Sequence, residues 1–333
     1  MKLIQITSLS FLFAFSLFSA NIYAADFSDK KAVKIFIKEM AKKHKFNKQH
    51  LEKLFSRAKM HDSILEAIAR PAESKPWYQY RPIFVTKKRT QGGVDFWKKN
   101  AEALARAEKT YGVPAEIIVA IIGVETRYGK HAGAYPVFDS LATLAFGYPP
   151  RATFFKSELE HFLLMTREEG FDAQKLLGSY AGAMGMPQFI SSSFRHYAVD
   201  FDGDGKRDLW NNTTDAIGSV ANYFRKHHWK KGLPIVHKVS VDTQRKEYKQ
   251  LLTKSLKPSH TQLELLLGGV VLPSGIDKEY KGKLIKLEKL IGTEHWVAWN
   301  NFYVITRYNH SALYSMAVFQ LSQQIKQEYL NSK

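Results

Sequence analysis

Apolar residues recur every three or four positions from residue 29 to residue 70, and this spacing predicts helix over that segment. The stripe comprises Val33, Phe36, Ile37, Met40, Leu51, Leu54 and Phe55. Pro71 and Pro76 separate this run from a Trp- and Tyr-rich connection at residues 77–84. Further helices are predicted over residues 94–111, 153–169, 215–228 and 311–330.

Residues 115–125, with the sequence AEIIVAIIGVE, differ from these helices because they are apolar on every side between Ile117 and Val124. Pro114 precedes them and suits the first turn of a helix. A helix without a polar face belongs inside the core. The segment is therefore predicted to be a buried helix.

The pattern changes after Pro234. Short strands are predicted at residues 236–241, 269–273 and 302–306, separated by mixed polar segments. The chain is therefore expected to be a predominantly helical α+β protein with a minor sheet.

The chain carries 49 Lys and Arg against 31 Asp and Glu, a formal net charge of +18. A solvated, amphipathic surface is the simplest reading of such a charge. The functional reading is an anionic partner, either a membrane surface or an acidic cell-wall polymer. Nucleic acid is not expected, because no basic run with interleaved aromatics is present.

The absence of cysteine excludes disulfides, thiolate metal sites and lipid attachment through cysteine. The sequence contains neither an HExxH nor a GxSxG motif, so it does not support a zinc enzyme or a serine hydrolase.

Residues 1–24 contain one Lys and an apolar stretch that is densest at residues 9–18. With small residues at Ala24 and Ala25, this segment predicts a cleaved secretory signal peptide, too short in its apolar part for a comfortable membrane span. An uncleaved anchor is the weaker alternative. It stays open because Ile22 stands where a small residue is preferred.

Glu125 ends the apolar helix, shortly before Gly129, a natural helix terminator. Partial burial and the negative end of the helix dipole would both raise the pKa of its carboxyl group. A carboxylic acid that stays protonated near neutral pH suits a general acid for glycosidic cleavage. An exposed Glu125, or one paired with Arg127, is an equally open reading.

Residues 178–189, GSYAGAMGMPQF, combine small residues with neutral hydrogen-bonding groups. The glycines and alanines allow close approach of the backbone to a ligand, and Ser179, Tyr180 and Gln188 suit sugar hydroxyls and amides. Taken alone, a tight helix crossing that needs small residues is the favoured reading.

Asp200, Asp202 and Asp204 are followed by Gly205 and match the first six positions of a calcium loop, in which Lys206 would add its backbone carbonyl. The twelfth position is Asn211 rather than Glu, so Asp215 is the candidate for the closing ligand. The pattern favours a metal site over an unmetallated turn with capping aspartates.

Residues 305–318, ITRYNHSALYSMAV, supply Tyr308, Asn309 and Tyr314, which suit a carbohydrate groove. The two tyrosines are six residues apart and would not automatically share a helix face. Taken alone, a capped helix with core aromatics is the favoured reading.

Together and in this order, the four segments resemble the lytic murein transglycosylases of the membrane-bound B type and their soluble relatives. The resemblance runs from about residue 32 to the C-terminus, and it is strongest in GVETRYG, GSYAGAMG with Gln188, the DxDxDG loop with DAIGSVANYF, and ITRYNxS. It implies a lysozyme-like catalytic core with a helical domain and a small β-domain. The expected division is a signal peptide at 1–24, a helical domain at 25–110, the catalytic core at 111–235 with its calcium-type loop at 200–215, a β-containing subdomain at 236–304, and a C-terminal segment at 305–333 that completes the groove and the helical domain.

The resemblance implies that Glu125 is the single catalytic acid and base, with no catalytic cofactor. It would protonate the glycosidic oxygen between N-acetylmuramic acid and N-acetylglucosamine, then deprotonate the muramyl C6 hydroxyl to close a 1,6-anhydro sugar. A two-carboxylate glycosidase would need a second acid across the bond. The implied groove residues are Ser179, Gln188, Tyr308, Asn309, Tyr314, Arg151 and Tyr80.

Two departures from the family pattern affect these expectations. Pro150 and Arg151 stand where the family often has two arginines, so only Arg151 is carried over. The family's lipidated cysteine is absent, so a soluble periplasmic enzyme rather than a lipoprotein is expected. The resemblance also supports a structural calcium ion at Asp200, Asp202, Asp204, Lys206 and Asp215.

The expected partners are the glycan strands of peptidoglycan, bound by a monomer, and recruitment by cell-wall synthesis proteins is left open. Three alternatives remain at this point. They are a hydrolytic lysozyme-type muramidase, a non-catalytic peptidoglycan-binding protein and an exported nucleic-acid binder.

Overall fold

The computed structural model describes residue 27, residues 30–70 and residues 75–332. The predicted signal peptide lies outside these residues. Within the described ranges, no helix combines the length and apolar character that a membrane span needs.

The N-terminal helical run consists of three helices: α1 (Lys31–His44), α2 (Lys48–Arg57) and α3 (Asp62–Ala69). Lys45 ends α1 in the left-handed conformation, with φ 58°. The Asn47 side chain then accepts a hydrogen bond from the His50 amide, 2.9 Å away, and caps α2. The apolar stripe predicted from the sequence is buried in these helices.

The prediction of a connection at residues 77–84 is wrong, because these residues form helix α4 (Trp77–Phe84) with Pro82 inside it. Pro76 is the residue before the first turn, where proline does not disturb a helix. The helix predicted over residues 94–111 is longer and is divided at Asn100 into α5 (Lys87–Lys99) and α6 (Ala101–Tyr111). Gly112 ends α6 as predicted, with φ 73°.

Helix α7 (Ala115–Thr126) is the buried helix that the sequence predicts, and every residue in it is buried except Glu125, which keeps partial exposure. Helices from both halves of the chain surround it. The remaining helices are α8 (Val137–Gly147), α9 (Ala152–Glu169), α10 (Ser191–Tyr197), α11 (Thr213–Lys226), α12 (Tyr248–Leu251), α13 (Gln262–Leu267), α14 (Asn300–Tyr308) and α15 (Ala312–Asn331), with a 3₁₀ turn at Pro149–Arg151. Helices α5, α6, α11 and α15 contact α7 directly.

Two small antiparallel sheets complete the described fold. Strands β1 (Tyr135–Pro136) and β2 (Leu177–Gly178) pair beside the end of α7. Strands β3 (Val236–Val239), β4 (Lys283–Glu288) and β5 (Thr293–Ala298) form a sheet in the order β3-β5-β4. The protein is therefore predominantly helical with minor sheet, as predicted.

The strand predictions are only partly correct. The prediction at residues 236–241 is confirmed by β3, while residues 269–273 contribute only an isolated bridge between Val270 and Val241. The prediction of a strand at residues 302–306 is wrong, because these residues lie within helix α14. Strands β4 and β5 were not predicted.

The described residues bury two hydrophobic clusters. The larger one runs from Phe27 to Ile325 and so joins both ends of the described chain around α7. The smaller one lies against the three-stranded sheet and comprises Tyr248, Leu251, Leu265, Val270, Leu284, Val297 and Trp299. The domain boundaries expected from the sequence stay a prediction.

Candidate active site

Glu125 lies at the point where α7 leaves the core. The helix ends because Arg127 and Tyr128 both adopt left-handed backbone conformations, with φ 50° and 64°. Their amides donate to the carbonyls of Gly123 and Ile122 over 3.1 and 3.2 Å. The sequence pointed to Gly129 as the terminator, but the helix ends before it, at residues for which this conformation carries a steric cost.

The strained turn after Glu125 is held by Tyr128 and Thr126. The Tyr128 hydroxyl donates to the Arg89 carbonyl over 2.6 Å, and a Cβ atom on Gly123 would lie 2.6 Å from the Tyr128 ring. The Thr126 hydroxyl donates to the Met186 carbonyl over 2.9 Å and accepts from the Gly129 amide over 3.0 Å. These contacts fix the end of α7 against the glycine-rich segment.

Tyr314 contacts the Glu125 carboxyl group directly. Its hydroxyl donates to Glu125 Oε1 over 2.5 Å. Ser311 caps α15 by accepting from the Tyr314 amide over 3.2 Å, which places Tyr314 in the first turn of that helix. The Tyr308 hydroxyl donates to the Pro187 carbonyl over 2.6 Å from the last turn of α14. The two tyrosines therefore approach the site from two helices rather than from one face.

Burial dominates the electrostatics of this site. It raises the pKa of Glu125 to about 7, although the hydrogen bond from Tyr314 acts in the opposite direction. Burial and the charge of Glu125 raise the pKa values of Tyr308 and Tyr314 well above the usual range. The pKa of Tyr80 is raised for the same two reasons. All three tyrosines therefore keep their hydroxyl protons at neutral pH.

The glycine-rich segment packs closely against the chain that follows Glu125. A Cβ atom on Gly133, where φ is 100°, would lie 2.0 Å from the Gly178 carbonyl. The Ser179 hydroxyl oxygen accepts from the amides of Ala181 and Ala183 over 3.3 and 3.0 Å. Gln188 has φ 52° and donates its side-chain amide to the carbonyls of Ala132 and Gly185, both over 3.0 Å.

The predicted groove residues do not all meet at Glu125. Tyr80, Tyr308 and Tyr314 interact with it electrostatically or by hydrogen bond. Asn309 is exposed in the link between α14 and α15. Arg151 is also exposed, with its guanidinium 4.4 and 5.1 Å from the ring centroids of Phe154 and Phe155. No described hydrogen bond or ion pair connects Arg151 to Glu125.

Sequence reasoning missed the residues that position Glu125, namely Thr126, Tyr128 and the glycines that accommodate the Tyr128 ring. The available signal was Gly92 and Gly93, adjacent glycines that lie inside α5. A Cβ atom on either of them would lie 2.8 Å from a Tyr128 atom.

The aspartate loop brings three of its predicted ligands together. One carboxylate oxygen from each of Asp200, Asp202 and Asp204 lies within 4.8 Å of the others. Oxygens at this separation fit around one calcium ion, which takes oxygen ligands at about 2.3–2.6 Å. Backbone amides already orient them, since Gly205 donates to Asp200 over 2.8 Å and Lys206 donates to Asp204 over 2.9 Å.

Asp215 is fully buried and lies outside this group of three carboxylates. Its two oxygens accept from the amides of Phe201 and Asp208 over 2.7 and 2.9 Å. Asp215 therefore ties the two flanks of the loop together. Its role as a closing ligand stays a prediction.

A protonatable carboxyl group surrounded by neutral hydrogen-bonding groups has the chemistry that acid-assisted cleavage of a glycan needs. The chain matches the family described as Transglycosylase SLT domain over residues 28–323, and it belongs to that family.

Three relatives place the chain within this family. It is 43% identical over 310 residues to membrane-bound lytic murein transglycosylase B of Escherichia coli K12, covering 90% of this chain and 84% of that protein. It is 49% identical in sequence to soluble lytic transglycosylase SltB1 from Pseudomonas aeruginosa, whose crystal structure matches with a TM-score of 0.86. The match covers 89% of this chain and 99% of that one. It is 42% identical to Escherichia coli lytic transglycosylase Slt35 solved in complex with calcium, with a TM-score of 0.85 and coverage of 92% and 96%.

The chain is therefore a peptidoglycan lytic transglycosylase with a lysozyme-like catalytic core. It cleaves the bond between N-acetylmuramic acid and N-acetylglucosamine and forms a 1,6-anhydromuramyl product. The family resemblance inferred from the sequence and the predicted fold class are both confirmed.

Proposed function

We propose that Glu125 is the single acid and base of this reaction. The observation that supports it is a carboxyl group with a pKa raised by burial to about 7 and held by the Tyr314 hydroxyl over 2.5 Å. At neutral pH such a group exists in both protonation states, so it can give up a proton and later take one back.

In the first step, protonated Glu125 donates its proton to the glycosidic oxygen, and the bond to muramyl C1 breaks. In the second, the Glu125 carboxylate takes the proton of the muramyl C6 hydroxyl, whose oxygen attacks C1 from within the same sugar. The proton returns to Glu125, and no water enters the product. In this proposal neutral groups, rather than a second carboxylate across the bond, stabilise the positive charge that develops on the sugar.

The groove residues act by hydrogen bonding and stacking. The Ser179 oxygen already accepts two amides, so its O–H is left to donate to a sugar oxygen. Both N–H groups of Gln188 are used within the protein, so its amide oxygen is the atom left to accept from the ligand. Tyr80, Tyr308 and Tyr314 line the groove near the scissile bond, and Asn309 and Arg151 contact more distant parts of the substrate.

Mass spectrometry of fragments released from purified murein by the unmodified protein and by Glu125→Gln tests this proposal. We expect anhydro-muropeptides, each one water lighter than the hydrolysed product, from the unmodified protein only, because the C6 hydroxyl of the sugar replaces water as the nucleophile and Glu125 transfers the proton. Hydrated reducing ends would instead identify a hydrolytic muramidase on the same scaffold. Binding without any release of fragments would favour a non-catalytic peptidoglycan-binding protein.

Calcium at Asp200, Asp202 and Asp204, with the Lys206 carbonyl and Asp215 as further ligands, has a structural role in this proposal. Slt35, solved with calcium, supports it. The ion would neutralise three carboxylates that otherwise repel one another, and it would brace the loop before α11. It takes no part in the chemical steps, which use Glu125 alone.

Calcium is expected to raise the melting temperature, because an ion that binds only the folded protein adds about 2.7 kcal/mol of stability at a concentration one hundred times its Kd. Differential scanning calorimetry with calcium, magnesium or a chelator measures the shift. Asp202→Asn with Asp204→Asn should abolish it. The control Asp242→Asn, in a turn outside the loop where the side chain accepts the Gln244 amide over 3.1 Å, should retain it. An equal shift in both variants would contradict the assignment.

Export to the periplasm, with cleavage of residues 1–24, completes the proposal. It is consistent with the cell-wall enzyme family and with a basic chain that binds a polymer carrying peptide carboxylates. We propose that the protein acts as a soluble monomer on glycan strands, with no nucleic acid partner and with the domain division expected from the sequence.

A further inference from the structure

A cavity of about 490 Å³ lies between α2 and the C-terminal end of α9, and we call it the cationic pocket. Its wall carries His50, Lys53, Arg57 and Arg167, and its apolar lining includes Phe46 and Phe171. His50, Lys53 and Arg57 are spaced three and four residues apart, so they share one face of α2. The pocket is therefore a built concavity with basic side chains on both walls.

Basic side chains outnumber carboxylates around the cationic pocket. Asp172 is the one carboxylate among the lining residues, and it pairs with Lys175 over 3.3 Å and is also attracted by Arg57, while Glu168 beside the pocket is attracted by Arg167. No described ion pair involves His50, Lys53, Arg57 or Arg167. A cluster of like charges around one cavity is unfavourable until an anion enters it.

Neutral contacts hold the two arginines in place. Arg167 donates to the His44 carbonyl over 2.7 Å, and its guanidinium lies 4.2 Å from the Phe46 ring centroid. Arg57 donates to the Gln174 side chain over 3.4 Å. The hydrogen bonds of both guanidinium groups go to neutral partners, and neither group forms a direct ion pair in the described residues, so both keep donors for an incoming carboxylate.

One stretch of chain connects the cationic pocket to the catalytic groove. The Phe171 ring packs edge-on against Trp210 with a centroid distance of 5.6 Å. The Trp210 indole donates to the Leu177 carbonyl over 2.8 Å, and Leu177 is followed by Gly178 and Ser179 of the glycine-rich segment. A continuous series of contacts therefore joins the lining of the cationic pocket to the glycine-rich segment.

We propose that the cationic pocket binds the free carboxylates of an acidic peptide, of the kind that peptidoglycan strands carry as stems. The choice of ligand rests on the proposed function, whereas the pocket itself does not. A concave site with two guanidinium groups, one of them above the Phe46 ring, suits a peptide that carries both carboxylates and apolar groups. A flat membrane surface would contact the rim only. Binding there would hold a stem while the glycan is cleaved at Glu125.

Isothermal titration calorimetry with the free tripeptide Ala-γ-Glu-diaminopimelate tests the pocket without any glycan. The pocket variant Lys53→Glu with Arg57→Glu reverses two exposed charges on α2. The control variant Lys246→Glu with Lys249→Glu reverses two exposed charges outside the pocket, beside and within α12. We expect the pocket variant to bind the peptide at least tenfold more weakly and the control variant to bind it like the unmodified protein.

The fully amidated peptide should not bind, because the pocket recognises carboxylates. The neutral pair Lys53→Gln with Arg57→Gln, checked by circular dichroism, should show an intermediate loss in a folded protein. Equal affinity of the pocket variant and the unmodified protein, or no binding to either, would overturn the proposal. Phosphatidylglycerol vesicles that bind the unmodified protein but not the pocket variant, without peptide binding, would overturn it in favour of a membrane surface.

Glu125→Gln separates this proposal from the catalytic one. It should bind the peptide as tightly as the unmodified protein, because the pocket does not use Glu125. If Glu125→Gln binds the peptide and still cleaves murein, the proposal for the pocket is supported and the proposal for Glu125 is wrong.

Discussion

Replacing Glu125 with Gln is expected to lower the rate of murein cleavage by roughly 10³-fold or more, since proton transfer by one positioned group contributes about 10²–10⁴-fold and Glu125 serves in both steps. Glutamine keeps the shape of the side chain, and its oxygen can still accept the hydrogen bond from Tyr314. It can neither donate nor accept the transferred proton at neutral pH. Release of anhydro-muropeptides over time measures the loss.

The same substitution is expected to stabilise the fold. The pKa of Glu125 is about 7 in the folded protein, and its ordinary value of 4.5 applies to the unfolded chain. At a pH between these two values, the folded state therefore binds more protons than the unfolded state. The contribution of this carboxyl group to the free energy of unfolding is therefore fully present below about pH 4.5 and is lost as the pH rises through 7. The glutamine side chain of Glu125→Gln does not ionise, so this variant avoids a loss of about 3 kcal/mol at alkaline pH.

Calorimetric melting at pH 4.5, 6 and 8 checks this expectation across the range between the two pKa values. The melting temperature of Glu125→Gln should exceed that of the unmodified protein by a few degrees at the highest pH and by little at the lowest. Glu328→Gln, which removes an exposed carboxyl on α15, is the matched control and should show no such trend. A constant difference at all three pH values would mean that burial does not hold the Glu125 carboxyl protonated.

The core around Glu125 was predictable because its helix has no polar face. An apolar run of this length has no stable position except inside the protein, and Glu125 is the one residue of α7 that keeps partial exposure. The turn that aims Glu125 was not predictable in the same way. Arg127 and Tyr128 take left-handed conformations only because distant parts of the chain, including the Arg89 carbonyl, fix them there.

The errors after Pro234 have a common cause, since short apolar runs do not distinguish helix from strand. FYVIT is rich in β-branched and aromatic residues, yet it lies in α14, where Phe302, Val304 and Ile305 are buried. Strand β4 was missed because it begins with Lys283, a residue type that sequence patterns place outside the core. That lysine is buried, and it donates to the carbonyls of Leu251 and Thr253 over 3.2 and 2.7 Å.

The helix at residues 300–308 explains how the site is assembled. If Tyr308 and Tyr314 lay on one regular element, their spacing would direct them to different sides. The exposed link at Asn309 lets α14 end and α15 begin between them, so Tyr314 can contact Glu125 while Tyr308 lies close enough to feel its charge. The candidate groove residues could be chosen from the sequence, whereas their convergence depends on this change of helix direction.

The pH profile of cleavage should report the protonation of Glu125. Since the first step needs the protonated acid and the pKa is about 7, kcat/KM is expected to fall by about tenfold per pH unit above neutrality. Tyr314→Phe removes the hydrogen bond that lowers this pKa, so the alkaline limb should move to higher pH. Measurement of kcat/KM on soluble glycan fragments from pH 5 to pH 9 locates the alkaline limb of the unmodified protein and that of Tyr314→Phe.

Tyr80→Phe is the matched control for Tyr314→Phe. Both substitutions remove a phenolic hydroxyl near Glu125, but only Tyr314 donates a described hydrogen bond to its carboxyl group. The control should therefore keep the alkaline limb near pH 7, the pKa of Glu125, whatever it does to KM. An unchanged limb in Tyr314→Phe, or the same shift in both variants, would show that the hydroxyl of Tyr314 does not set the acidity of the group that transfers the proton.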